Sequence, residues 1–286
     1  MELLYRLILH GLDGLTMGWL LALISFGLSL IFGLLNIINV AHGTLYMLGA
    51  VFGWYFALYL GNFWLALLLS PLVVGLLGGL LELVVLKPVE KRPVMTILST
   101  FGLLLILDHL VLLTFGSSPR VLPPPIHANF FLGRFEYPFY RLLVAGLAMV
   151  IALSLWLFLH QTRYGMWIRA VKQNRELALS EGIPVPRVFT MSFALGAALA
   201  ALSGVLAGSI LSVEFQMGFN VLVSAFIVVI VGGVGNLKGA VVAALLVGVL
   251  EGLASVFLGP ADSKILVLVF MAGILIFRSE GLFATA

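Results

Sequence analysis

The sequence predicts an all-α fold, a polytopic transmembrane helical bundle of eight or nine spans with glycine-rich broken or re-entrant segments. Three observations carry that prediction. The 286 residues are 62% hydrophobic and only 9% charged, leaving too little polar surface for a soluble domain. Apolar runs of spanning length recur from one end of the chain to the other. The alternating strands of roughly ten residues that build a transmembrane barrel are absent. No polar stretch exceeds loop length, so residues 1–286 read as one membrane domain.

The runs fall at 12–35, 44–60, 63–86, 94–115, 138–159, 188–213, 221–235, 239–258 and 263–279. The first segment, MELLYRLILHGLDGL, lacks a charged leader and a small-residue cleavage site, and is read as the start of the first span. Basic residues orient the bundle. Lys87, Lys91 and Arg92 share one short loop, Arg163, Arg169, Lys172, Arg175 and Arg187 share the loop 160–188, and Lys238 and Arg278 follow. These segments lie on one side if nine runs cross, which makes that side cytoplasmic. The Pro-rich loop 116–137 and the amino terminus then face outward. A pI near 9.3 follows from this topology and calls for no nucleic acid. Zero cysteines exclude disulfides and thiolate metal sites.

Glycine is abundant, at 31 residues, and concentrates inside the apolar runs. Gly75, Gly78 and Gly79, and the GxxxG pair Gly204 and Gly208, predict close helix packing within the subunit. Two interruptions stand apart. Asn36, Asn39, His42 and Gly43 place two amides and an imidazole between the first two spans, and Gly232, Gly233, Gly235 and Asn236 form a second break. Two readings are open for each, a tight turn at the membrane surface or irregular backbone lining a solute pathway. Asp108, His109 and Glu251 lie inside apolar runs, where an uncompensated charge costs about 2.5–3.5 kcal/mol. Each therefore needs a partner or water. Asp108 and His109 point about 100° apart on a helix and need not pair with each other. Glu82 is placed to snorkel or to pair with Lys87.

The loop 160–188 is the one long polar segment, and Asn174–Ile183 reads as a two-turn helix within it. Asn174 is its N-cap, Glu176 sits where a helix N-terminus favours an anion, and Gly182 followed by Pro184 ends it. A capped, rigid helix on a membrane protein's inner face is a surface for a partner. The chain has no phosphate-binding loop of the G-x-x-x-x-G-K-[ST] kind, no HExxH and no GxSxG, so no catalytic constellation is present.

In this order the motifs resemble one family. Asn36-x-x-Asn39-Val-Ala-His42-Gly43, the stretch Met95–Leu105, Gly116-Ser-Ser-Pro-Arg120-x-x-Pro123, Trp167-Ile-Arg169-Ala-Val171, Glu176-x-Ala178-x-x-x-Gly182-Ile183 and Gly232-Gly-x-Gly235 are similar to the LivH-type permeases of high-affinity branched-chain amino acid ABC importers. The resemblance implies a multi-pass subunit of a bacterial or archaeal cytoplasmic membrane. It implies a second, LivM-like permease, two LivG/LivF-like ATPases that hold ATP and Mg, and a periplasmic or lipid-anchored solute-binding protein. The chain itself would bind no cofactor and would not be an enzyme.

The family's ATPase-coupling helix maps onto Arg175, Glu176, Leu177, Ala178, Gly182 and Ile183. Leu177, Leu179 and Ile183 would fill a groove on the ATPase, and Arg169, Lys172 and Arg175 would set electrostatic register. Asn36, Asn39, His42, Gly43, Gly232, Gly233, Gly235 and Asn236 would line the translocation pathway. Val40 replaces a common aromatic and Asn236-Leu-Lys238 departs from the usual pattern. Relatives that carry urea or short amides share these motifs, so that cargo stays open. The rival class is an ion-coupled secondary transporter working through Asp108, His109 or Glu251.

Overall fold

The computed structural model describes residues 2–35, 37–90, 92–132, 135–278 and 281–282. Helix α1 (Glu2–Leu35) leads through a non-helical stretch to α2 (His42–Leu60), and α3 (Phe63–Leu81) continues through a π-helical and a 3₁₀ turn to Val89. Then come α4 (Pro93–Phe115), the hairpin β1 (Asn129–Leu132) and β2 (Phe135–Pro138), and α5 (Phe139–Gln161). The short α6 (Arg163–Gln173) and α7 (Arg175–Ser180) precede α8 (Val185–Ala207), α9 (Met217–Gly232), α10 (Leu237–Ala254) and α11 (Pro260–Phe277).

Among the described residues seven helices are long and apolar enough to cross a membrane: α1, α2, α3 with its continuation, α4, α5, α8 and α10. α9 is apolar, but its 16 residues rise only about 24 Å, short of the ~30 Å hydrocarbon layer. α11 has 18 residues.

Two expectations are corrected here. The run read as 188–213 is helical only to Ala207, because Arg120 and Val213 form an isolated antiparallel bridge that turns residues 208–213 back across the end of the bundle. The outer loop is not wholly irregular, since Asn129 pairs with Pro138 and Phe130 with Tyr137 in the hairpin.

α1 is the central helix. From Leu20 to Ile31 every residue is buried, against α8 on one side and α10 on another. α1 and α10 run antiparallel, with His10 Nδ1 2.9 Å from Ser255 Oγ at one end and Gly33 against Gly235 at the other. Small residues permit that approach. A Cβ on Gly18 would meet the Ala244 carbonyl oxygen at 3.1 Å, and one on Gly33 would meet the Gly235 Cα at 2.6 Å. Gly75, Gly78 and Gly79 of α3 receive Ala194, Ala197 and Ala198 of α8, and Gly204 packs on Tyr46 and Ala50 of α2. The GxxxG pair thus serves packing within the chain.

Candidate functional site

The polar loop folds into two helices, each closed by a side chain. Thr162 caps α6 by accepting from the Gly165 amide at 3.2 Å, and Asn174 caps α7 by accepting from the Glu176 and Leu177 amides at 3.0 Å each. At the other end Gly182 takes φ +79°, a conformation that favours glycine. Its amide donates to Leu179 O at 3.1 Å and the Ile183 amide to Ala178 O at 3.0 Å, the pairing of a Schellman C-cap. Six residues alone would not hold a helix in water, so these caps are what make α7 a defined object.

α7 presents a divided face. Ala178 is 3% exposed and Ile183 packs half-buried against the core, whereas Leu177 is 59% and Leu179 49% exposed. Glu176 and Glu181 are exposed as well. The expected apolar docking face of Leu177, Leu179 and Ile183 therefore narrows to the two leucines, because Ile183 anchors the turn inward.

The basic residues also have internal partners. Arg175 Nη2 lies 2.9 Å from Glu90 Oε1, in the turn before α4, and its guanidinium stands 4.8 Å from the Phe189 ring of α8. Lys172 Nζ donates to Gly235 O at 3.1 Å, and Arg169 donates to Leu159 O. Expected to set electrostatic register on a partner, these three also tie the loop to the bundle: Arg175 to the α3–α4 turn and α8, Arg169 to α5, and Lys172 to the glycine break before α10. Tyr164 Oη on α6 donates to Val188 O at 2.8 Å, and burial raises that phenol above its ordinary pKa.

The first break reaches deep into the bundle. His42 Nε2, at the start of α2, donates to Ile24 O at 3.0 Å. Ile24 lies eleven residues before the end of α1, about 16 Å along its axis. Residues 37–40 therefore climb beside α1 outside any helix, and Thr100 of α4 satisfies part of that backbone through Val40 N (3.2 Å) and Ile38 O (3.4 Å). Asn39 and His42 are fully buried, yet among the described residues both amide atoms of Asn39 and the His42 Nδ1 have no hydrogen-bond partner. Ser25 Oγ and Ser29 Oγ of α1 are in the same condition. An unmet buried polar atom costs about 1–3 kcal/mol, so these four residues mark polar positions that packing alone does not explain. Gly43 abuts Gly218 at the start of α9. Asn36 lies outside the described residues, as does Lys91 of the basic loop.

The second break is a tight turn. Gly233 and Gly235 take φ +94° and +71°, Asn236 caps α10 by accepting from Gly239 N at 3.1 Å, and Gly232 abuts Gly239 and Ala240. The end of α1 meets this second break, with Gly33 against Gly235. The serines were missed in the sequence, although Ser25 and Ser29 share one face of α1 at i, i+4 spacing, the signal that could have found them.

Two cavities lie along α1, on either side of its fully packed middle. One of about 670 Å³ opens beside Ser29, Gly33, Lys172, Gly235 and Lys238 at the basic end. The other, of about 460 Å³, is lined by Met17, Leu20, Leu21, Tyr46, Glu214, Glu251 and Lys264 among others. Between them Ala22, Leu23, Ile24 and Leu28 are 0% exposed.

The remaining intramembrane groups have local partners. Thr44 Oγ1 donates to Asp108 Oδ1 at 3.0 Å, and His109 Nδ1 reaches its own helix at Leu105 O, 2.7 Å away. Thr190 Oγ1 donates to Glu82 Oε2 at 2.6 Å, so the carboxylate is 3% exposed and satisfied from α8 rather than snorkelling. No group of three or more metal-ligating residues occurs among the described residues.

A family profile described as the permease component of branched-chain amino acid transport systems matches residues 11–278. The chain is 28% identical over 262 residues to the high-affinity branched-chain amino acid transport permease LivH of Salmonella typhimurium, covering 86% of this chain and 85% of that one. It is 26% identical to BraD of Pseudomonas aeruginosa, of the same description, over 98% and 96% of the two chains. A probable LivH of Methanocaldococcus jannaschii is 28% identical over 92% and 88%. No solved structure matches.

Proposed function

From the premise that this chain belongs to the family of permease components of branched-chain amino acid transport systems, and is a multi-pass membrane transport subunit rather than an enzyme, we propose how it works. It forms the translocation pathway of a binding-protein-dependent ABC importer in a cytoplasmic membrane, for branched-chain or related amino acids. ATP and Mg reside on two partner ATPases, a second permease completes the membrane part, and a binding protein delivers the solute outside. In this reading the path crosses nine times, with α9 and α11 as passes and residues 37–41 as the broken part of the second.

The observation that carries the proposal is the arrangement of α7. Two exposed leucines sit on a doubly capped helix whose own Arg175 grips Glu90, while Lys172 just before it grips the Gly235 carbonyl. Leu177 and Leu179 enter a groove on the ATPase, while Glu176 and Gly182 hold the helix's shape and charge. When the ATPases close, α6 and α7 move as one piece, and the Lys172–Gly235 contact passes the motion to the turn between α9 and α10. Rearrangement there opens the basic-end cavity as the opposite one shuts. The unpartnered polar atoms of Ser25, Ser29, Asn39 and His42 then find water or solute in the open path, a weak surface suited to release.

The test is solute-dependent ATP hydrolysis and uptake by the complex reconstituted with its binding protein. Glu176→Lys or Gly182→Asp should abolish coupled hydrolysis while leaving membrane insertion intact. Normal transport by both variants would exclude docking through α7.

A further inference from the structure

The cavity at the end of α1 away from the basic loop combines features that packing does not require. It holds about 460 Å³, within the roughly 300–1,000 Å³ of small-molecule pockets. Three charged side chains of both signs line it: Glu214 after α8, Glu251 on α10 and Lys264 on α11. Lys264 is within electrostatic reach of Glu251, yet none of the three forms an ion pair among the described residues. Lys264 Nζ instead donates to the Asn220 backbone oxygen at 2.7 Å. Separate charges in partly buried surroundings are costly unless something bridges them.

The wall also carries two hydroxyls, from Tyr46 (3% exposed) and Ser224 (6% exposed). The rest of the lining is aliphatic, from Met17, Leu20, Leu21 and Val221.

We propose that this cavity is a transit site for an α-amino acid zwitterion with an aliphatic side chain. Glu251 and Glu214 receive the ammonium, Lys264 the carboxylate, Tyr46 supplies a hydroxyl, and the methionine and leucines enclose the side chain. An inorganic cation would meet the two carboxylates but be repelled by Lys264, and urea or a short amide would leave all three charges unmatched. The assignment rests on the permease reading and sharpens it, since it favours amino acids over uncharged amides as cargo.

The experiment uses the whole transporter with its partner subunits. In nanodiscs without binding protein, titration calorimetry compares leucine with leucinamide, which lacks the carboxylate, and 4-methylpentanoate, which lacks the amine. Both analogues should bind at least about tenfold more weakly, as loss of a charged hydrogen bond implies. Equal binding by all three overturns the site. In proteoliposomes with binding protein, Glu251→Gln and Lys264→Met should each lower leucine kcat/KM about tenfold or more, and Lys264→Arg should retain most of it. The double variant Glu251→Gln/Lys264→Met, which removes both members of the facing Glu251 and Lys264 pair, should stay as impaired as the single ones. Recovery in the double variant would show a structural charge pair and overturn the site, as would normal uptake in both single variants. Absence of ATP-driven uptake by the unaltered transporter refutes the importer reading instead, and the calorimetry still decides the site.

Discussion

Asn174→Ala removes the acceptor for two amides, Glu176 N and Leu177 N, at the start of a helix only six residues long. Loss of an N-cap costs about 1 kcal/mol, within a range of roughly 0.5–2 kcal/mol. In a long helix that would be absorbed. Here the helix has no length to spare, so the cost falls directly on the fraction of time α7 is formed. At about 1.4 kcal/mol per factor of ten, the folded fraction of α7 relative to its frayed form drops about fivefold. In the proposed stroke the capped helix is the lever, so leucine uptake by the reconstituted transporter should fall, by up to that factor, at saturating binding protein. ATP hydrolysed per solute should rise. Asn174→Asp, which keeps a capping oxygen, should restore most of the coupling. Full uptake in Asn174→Ala, with unchanged stoichiometry, would refute the claim that a formed α7 transmits the stroke.

Replacing Leu177 or Leu179 with Asp, at sites 59% and 49% exposed, should leave membrane insertion and monomer stability unchanged but strip the ATPases during co-purification. Gly33→Ala would set a Cβ 2.6 Å from the Gly235 Cα, and such overpacking costs about 1–3 kcal/mol, read as a lowered Tm of the detergent-solubilised subunit. Lys172→Met should leave hydrolysis by the ATPases intact while reducing uptake, since it cuts the link to Gly235. Tyr137, outside the helices, donates to Asp13 Oδ1 at 2.9 Å; burial, reinforced by that carboxylate, pushes its pKa from 10.0 to about 12. The folded state then keeps a proton that the unfolded chain loses, so this contribution is complete below pH 10 and disappears as pH rises towards about 12. Tyr137→Phe should flatten the alkaline fall of a pH-dependent melting curve and lower stability by about 1 kcal/mol at neutral pH.

The helices were legible because a spanning run is a local signal, and α4 and α5 fall within two residues of their expected ends. The caps of α7 were legible for the same reason, since Asn174, Gly182 and Pro184 act on backbone a few residues away. What stayed hidden depends on distant partners. Arg175 reads as a free surface charge until Glu90, 85 residues earlier, is brought beside it. Residues 208–213 look like the end of a span, and only the bridge to Arg120 shows that they turn aside. The depth of His42 follows from its contact with Ile24, not from any pattern around it. Glu214, Glu251 and Lys264 stand on three segments, and no spacing in the sequence links them.

The chain has no cysteine, so a single introduced thiol is unique, and this makes the central claim directly measurable. Leu177→Cys in the otherwise unaltered permease, co-expressed with its partners, is treated with a short bifunctional thiol–amine crosslinker. The account predicts a crosslink to an ATPase subunit whose yield changes between the nucleotide-free and ATP-bound transporter, while the same thiol at Arg163 gives little. Active transport with no crosslink from position 177 in either state would contradict it.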